Sequence, residues 1–296
     1  MCHPPSVTRI LSIADSRAGV ANQATALADA LARLVPGAER EHATVPRRAL
    51  FAPELPAADI VIGCAGPSTP ALRKAGRAGA KTVFVQDPRR GYGQFDLVVA
   101  PEHDRVEASN AIAMIGSPSP VSPDRLLEAE RVEAPSPVVA FLIGGPSKRH
   151  RFDAATQARI LDAVRSVSGT ALVTTSRRTP PELVEALRET DATLHTGDGP
   201  NPYLAWLAGA DAVAVTEDST NMLVDACATG VPVFRLPVAG EAGKLDQLYA
   251  RLAERCGVRR WDGNLSAEPY APLEETARAA REIALRLGLA THPTPR

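Results

Sequence analysis

Aromatic side chains are scarce, at 4% of the chain. That excludes a stacking platform for single-stranded nucleic acid and leaves a core built from Ala, Val, Leu and Ile. Charge of one sign is also missing. With 33 Lys and Arg against 34 Asp and Glu the net charge is −1, so no global cationic field exists to attract nucleic acid. No apolar run approaches the ~20 residues needed to cross a bilayer. No charged segment followed by an apolar stretch marks a secretory signal. The expectation is a soluble, cytoplasmic protein, with peripheral contact to the inner membrane through an amphipathic face left open.

Clustered metal and redox ligands are absent too. Cys2, Cys64, Cys227 and Cys256 are far apart, with no Cys-x-x-Cys pair, which fits reduced thiols rather than a disulfide framework or zinc site. The six histidines form no His-x-x-x-His pair. Neither a metal nor a resident cofactor is expected. The chain lacks a Gly-x-Ser-x-Gly elbow, which argues against a serine hydrolase. It also lacks an Asp-x-Asp pair, which argues against metal-dependent sugar-nucleotide binding.

What is present is a repeated alternation of strand and helix patterns. Val7 to Ala14 reads as a strand, and Val20, Ala24, Leu27, Leu31 and Leu34 then line one face of a helix that Pro36-Gly37 stops. Strands follow at Asp59 to Gly63, Lys81 to Val85, Leu97 to Ala100 and Ala111 to Ile115, with an Ala-rich helix over Pro67 to Gly79. Five prolines fall between Ser117 and Pro137 around a charged helical segment, Asp124 to Glu133; such punctuation marks a domain boundary. The pattern restarts at Val138 to Ile143 and continues with strands at Thr170 to Thr174, Ala192 to His195, Ala210 to Thr216 and Val231 to Leu236. Before the helix that starts near Pro181, Thr179 reads as N-cap, Pro180 as first helical residue and Glu182 as capping-box acid. Alternation at this spacing implies parallel sheets with right-handed crossovers. The predicted fold is α/β, two Rossmann-like parallel-sheet domains facing a cleft. The expected domains are 1–120, a proline-rich linker 121–137, 138–270, and a C-terminal helix and tail over 271–296 that packs back on the first domain.

In such folds ligands lie beyond the carboxyl ends of strands, so the strand-end loops are the candidate site. The stretch from Thr216 to Met222 is the most informative, because an apolar strand empties into Glu217-Asp218-Ser219-Thr220-Asn221-Met222 and a helix follows. Ser219 or Thr220 can cap that helix, and its free N–H groups suit a phosphate. Gly144 and Gly145 allow close backbone approach to a ligand, with Lys148 as a point charge. Arg17, Arg89, Arg90, Arg149, Arg177 and Arg178 concentrate positive charge at these loops, and arginine forks bind phosphate bidentately. For acid–base work the loops offer Asp15, Asp87, His103, Asp104, Glu217 and Asp218, of which Asp15, Asp87 and Glu217 are the candidate catalytic carboxylates.

An ordered set of short motifs carries a resemblance. It runs Asp15-Ser16-Arg17-Ala18-Gly19 with Asn22-Gln23, Gln86-Asp87-Pro88-Arg89, Pro101-Glu102-His103-Asp104, and Ile143 to Lys148. It continues with Thr175-Ser176-Arg177-Arg178-Thr179-Pro180, Asn201-Pro202-Tyr203, and Thr216 to Ser219 with Asn221-Met222. Over nearly its whole length the chain resembles a bacterial member of the mitochondrial fission protein ELM family. That resemblance implies a fold similar to the GT-B glycosyltransferases and nucleotide-sugar 2-epimerases, with a sugar nucleotide held mainly by the C-terminal domain. Thr216 to Asp225 is similar to their donor-diphosphate element, with Asp225-Ala226 where Glu-Ala usually stands. Members often carry a histidine at the position of Val20, and this chain departs there. Plant members are adaptors in organelle division.

Three functions follow as expectations. The first is a metal-independent glycosyltransferase using a nucleotide-diphosphate sugar, with Arg177, Arg178 and the helix at Ser219 stabilising the leaving group. Its acceptor would be membrane-associated in one variant. The second is an epimerase, which needs carboxylates on both sides of the sugar ring, such as Asp87 or Asp104 opposite Glu217. The third is a non-catalytic adaptor that keeps the fold.

Overall fold

The computed structural model describes residues 7–48, 53–268 and 270–292. They form two units, one from the described residues of 1–120 and 274–292, the other from those of 121–273.

Unit 1 begins with β1 (Arg9–Ala14), α1 (Ala18–Leu34) and β2 (Glu39–Thr44). It continues through β3 (Ile60–Cys64), α2 (Thr69–Arg77), β4 (Lys81–Val85), β5 (Leu97–Pro101) and β6 (Ala111–Met114). The sheet is parallel throughout and ordered β2-β1-β3-β4-β5-β6. Its inner strands are buried on both faces, hence their continuous apolar runs. Ile10, Ile62 and Val83 meet Ala24, Leu27 and Leu31 of α1 on one face, whereas Leu11, Val61 and Phe84 meet Ala71 and Leu72 of α2 on the other. β2 departs from the sequence expectation. Its stretch Glu-Arg-Glu-His-Ala-Thr is almost wholly exposed and lies at the sheet edge, held by backbone pairing to β1; no apolar pattern announces it.

Unit 2 opens with α3 (Pro123–Glu128), shorter than the charged helix expected to reach Glu133. Val132 and Ala134 leave the helix and pack under Val138, Leu172 and Trp206. Then come β7 (Val138–Ile143), β8 (His150–Arg151), α4 (Ala154–Arg165), β9 (Thr170–Thr175), α5 (Pro181–Arg188), β10 (Thr193–His195) and α6 (Tyr203–Gly209). The unit ends with β11 (Ala212–Thr216), α7 (Thr220–Cys227), β12 (Val233–Leu236), β13 (Ala239–Gly240), α8 (Leu245–Cys256) and β14 (Arg259–Arg260). The main sheet is again parallel, ordered β10-β9-β7-β11-β12-β14. Counted from β7 this is the 3-2-1-4-5-6 arrangement of dinucleotide-binding folds. Phe141 and Phe234 fill its centre, and Ile160, Val164, Leu183 and Leu187 cover that face.

The last helix, α9 (Glu275–Arg286), belongs to unit 1. Ala279, Ala280, Ile283 and Ala284 join the cluster around α1. Glu275 Oε2 accepts from the Ile115 amide at 2.7 Å, and Thr276 Oγ1 from the Ser119 amide at 2.9 Å.

Candidate functional site

In each sheet the strand order reverses once, and the carboxyl ends at such a reversal are where open α/β sheets bind ligands. In unit 2 it falls between β7 and β11. The loops leaving β9, β7 and β11 are bolted together there. Thr216 Oγ1 accepts from the Gly144 amide at 2.8 Å, and Thr179 Oγ1 donates to the Gly144 carbonyl at 2.6 Å. Asp218 Oδ2 accepts from the Gly145 amide and from Arg178 Nη2, both at 3.0 Å. Arg178 Nη1 donates to the carbonyls of Gly145 (2.7 Å) and Pro146 (2.8 Å). The Asp218 side chain is fully buried, and its Oδ1 has no partner among the described residues.

This arrangement changes three expectations. Thr179 does not cap α5; Pro180 takes the cap position without a side-chain bond, because the Thr179 hydroxyl serves the Gly144 loop. Gly144 and Gly145 are packed against protein atoms. A Cβ on Gly144 would stand 2.3 Å from Asp218 Oδ2, and one on Gly145 2.2 Å from the Arg178 carbonyl oxygen. Their lack of side chains is therefore explained without a ligand. Arg178 is a latch within the loops, whereas Arg177 is exposed and has no ion pair or hydrogen bond among the described residues.

Ser219 is the N-cap residue of α7, yet its hydroxyl makes no capping bond. The amides of Thr220, Asn221 and Met222 meet no acceptor among the described residues. Three unsatisfied donors at the positive end of a helix dipole attract an anion. Ser176 serves the neighbouring turn, its amide donating to Thr179 Oγ1 at 2.9 Å. Lys148 is exposed farther along the β7 loop. Deeper in α7, Asp225 Oδ2 accepts from the Tyr203 hydroxyl at 2.8 Å, and Asn201 Oδ1 accepts from the Tyr203 amide at 3.1 Å. Desolvation and the Asp225 charge push the Tyr203 phenol well above its usual value.

Glu217 is buried. Its Oε1 accepts from Arg235 Nη1 at 2.7 Å, and its carbonyl accepts from the Tyr249 hydroxyl at 2.6 Å. The Arg235 guanidinium lies 4.5 Å from the centre of the Tyr249 ring. Arg235 and Tyr249 are not foreshadowed in the sequence; their only signal is an arginine inside an otherwise apolar strand, a charge that needs a partner.

In unit 1 the reversal lies between β1 and β3. Asp15, at the exit of β1, is clamped by Arg17: Nε donates to Oδ1 at 2.9 Å and Nη2 to Oδ2 at 2.6 Å, and the Arg17 amide adds a bond of 2.9 Å. These contacts hold the Asp15 carboxyl below its ordinary value. Gln23 Oε1 accepts from Gln86 Nε2 at 3.1 Å and from the Cys64 thiol at 3.5 Å, and burial pushes that thiol up to about 12. Asp87 Oδ1 accepts from the Tyr92 hydroxyl (2.8 Å) and the Arg89 amide (2.6 Å). Gly19 and Asn22 are exposed on the first turns of α1, whereas Val20 is buried in the core. Among the described residues no three His, Cys, Asp or Glu side chains are grouped to hold a metal ion, and no helix is long and apolar enough to cross a membrane.

Two parallel six-stranded sheets, each with its loops gathered at one order reversal, define the GT-B fold class. Solved structures of that class share the fold. They include a glycotransferase of kitacinnamycin (TM-score 0.53, 14% identity, covering 96% of this chain and 94% of that one). Another is the S. aureus MnaA–UDP co-structure (TM-score 0.51, 12% identity, covering 96% and 98%). Within this class the chain belongs to the Mitochondrial fission ELM1 family, whose model matches residues 18–287. The mitochondrial fission protein ELM1 of Arabidopsis thaliana is 28% identical over 274 residues, spanning 77% of this chain. The chain covers 64% of that relative's length.

Proposed function

We propose that the protein binds a nucleotide-diphosphate sugar at the β7/β11 edge of unit 2 and transfers the sugar to an acceptor hydroxyl without a metal. The observation that carries this reading is the uncapped amino end of α7 at the order reversal, in a loop that Arg178, next in sequence to the unpaired Arg177, ties to the β9 loop. The co-structure of a protein of this fold with UDP supports it. The diphosphate would take the free α7 amides and the Arg177 fork. Both would stabilise the charge that grows on the leaving diphosphate as the bond from sugar to phosphate oxygen breaks. The acceptor oxygen forms the new bond to the sugar carbon and gives its proton to a carboxylate. Within unit 1, Asp15 has both oxygens closed by Arg17 and is a weakened base, whereas Asp87 takes the Tyr92 hydroxyl and the Arg89 amide on Oδ1 alone. Glu217, committed to Arg235, favours transfer over epimerisation.

Calorimetric titration with UDP and UDP-sugars tests the binding. The expected result is saturable binding that Arg177→Ala weakens without lowering the melting temperature. Labelled donors with a panel of acceptors then test transfer. A second reading, an adaptor that retains the fold, draws support from the clamped Asp15 and from Val20 buried in the core. Nucleotide binding without donor turnover would select it, and no binding would refute the primary reading.

A further inference from the structure

Parallel pairing sends every strand exit of unit 1 to one edge, and the previously unmarked β2 adds its loop to that edge. That loop carries Arg47 and Arg48. The β4 loop carries Arg89 and Arg90. All four are exposed, and none of their guanidinium groups has an ion pair or hydrogen bond among the described residues. Two carboxylates of that edge already hold neighbouring groups. Asp15 is clamped by Arg17, and Asp87 holds Tyr92 and the Arg89 amide. The Val45 amide donates to the Ala14 carbonyl at 2.8 Å, so the β2 loop starts against the β1 exit.

The β4 loop is built to hold its shape. Gln86 and Arg89 both take positive φ, 85° and 63°, in conformations that residues with side chains rarely adopt. The Asp87 carboxylate and the Gln86–Gln23 bond keep them there. β2 and β4 stand three strand positions apart, roughly 14 Å at ~4.8 Å per strand. Two arginine pairs at that separation present forks for phosphate oxygens rather than one shared point charge.

We propose that Arg47, Arg48, Arg89 and Arg90 form an anion-binding edge on unit 1 that takes a phosphate-bearing ligand, independent of the nucleotide at unit 2. This inference does not rest on the transferase reading of unit 2. The same chemistry is offered by a lipid headgroup and by a soluble phosphate ester.

The test uses the full chain with two probes, vesicles of phosphatidylcholine containing about one-fifth phosphatidylglycerol, and glycerol 3-phosphate in solution. Arg47→Ala/Arg48→Ala and Arg89→Ala/Arg90→Ala are compared with Arg73→Ala/Arg77→Ala, which removes two exposed arginines from α2. The expected result is binding of at least one probe, weakened roughly tenfold or more by each of the first two variants, as loss of charge-assisted bonds implies, and unchanged by the α2 variant. Binding to vesicles alone identifies a lipid headgroup; binding that glycerol 3-phosphate also shows identifies a soluble ester. Binding of neither probe, or equal losses in all three variants, overturns the proposal. A parallel UDP titration reports on unit 2, so failure of either reading is seen separately; the edge variants leave it unchanged.

Discussion

Gly144→Ala places a methyl carbon 2.3 Å from Asp218 Oδ2, 2.4 Å from Oδ1 and 2.6 Å from Cγ. The Asp218 side chain has no solvent-exposed surface to retreat along, so its carboxylate must shift by about an ångström, a displacement that breaks hydrogen-bond geometry. The Gly145 amide then loses its charged acceptor, worth ~1.5–3 kcal/mol. The Arg178 pair is half exposed and adds at most ~1 kcal/mol, and overpacking adds ~1–3 kcal/mol. Overlap between these effects leaves a loss of about 3 kcal/mol, which in a unit of this size lowers the melting temperature by roughly 10 °C. Calorimetry on Gly144→Ala, Asp218→Ala and the double variant provides the measurement. Asp218→Ala removes the atoms that collide with the new methyl. In that background Gly144→Ala is expected to lose less than ~1 kcal/mol, a coupling of about 2 kcal/mol. Additive losses, or a melting temperature unchanged in Gly144→Ala, would refute the assignment of Gly144 to packing against Asp218.

The two adjacent arginines of the β9 loop should separate cleanly. Arg178→Ala frees the carbonyls of Gly145 and Pro146 and lowers the melting temperature, while Arg177→Ala leaves it unchanged and weakens UDP binding by calorimetry. Asp15 has a folded value held below 3.8 by Arg17. It therefore contributes stability above its unfolded value, and that stability is lost as pH falls through the lower folded one. Asp15→Asn is accordingly expected to destabilise at neutral pH and to flatten the urea-denaturation profile below about pH 4. Cys64, buried and raised to about 12, should resist iodoacetamide at pH 8 in the folded protein and react once urea unfolds it, as read by peptide mass mapping.

The buried strands were legible because a parallel sheet covered on both faces needs unbroken apolar runs, and Val138 to Ile143 or Val213 to Val215 can be little else. β2 was not legible, since an exposed edge strand is specified by backbone pairing and its six side chains carry no period. That omission also hid Arg47 and Arg48, whose place at the ligand edge exists only once β2 runs parallel to β1. The positions of the site loops followed from strand ends, but the division of labour inside them did not. Arg177 and Arg178 are alike in sequence, and only the carbonyls of Gly145 and Pro146 distinguish them. Thr179 looked like a helix cap because local spacing fits one. A longer-range acceptor, the Gly144 carbonyl, took its hydroxyl instead.

The return of α9 to unit 1 bears on how the chain matures. The cluster around α1 is complete only with Ala279, Ala280 and Ile283, so during synthesis the earlier-made unit would keep one flank bare until the whole of the second unit has emerged. The later-made unit, continuous in sequence, is positioned to finish first. A nascent chain stalled before residue 274 would expose an apolar stripe on α1, the surface that holding chaperones recognise.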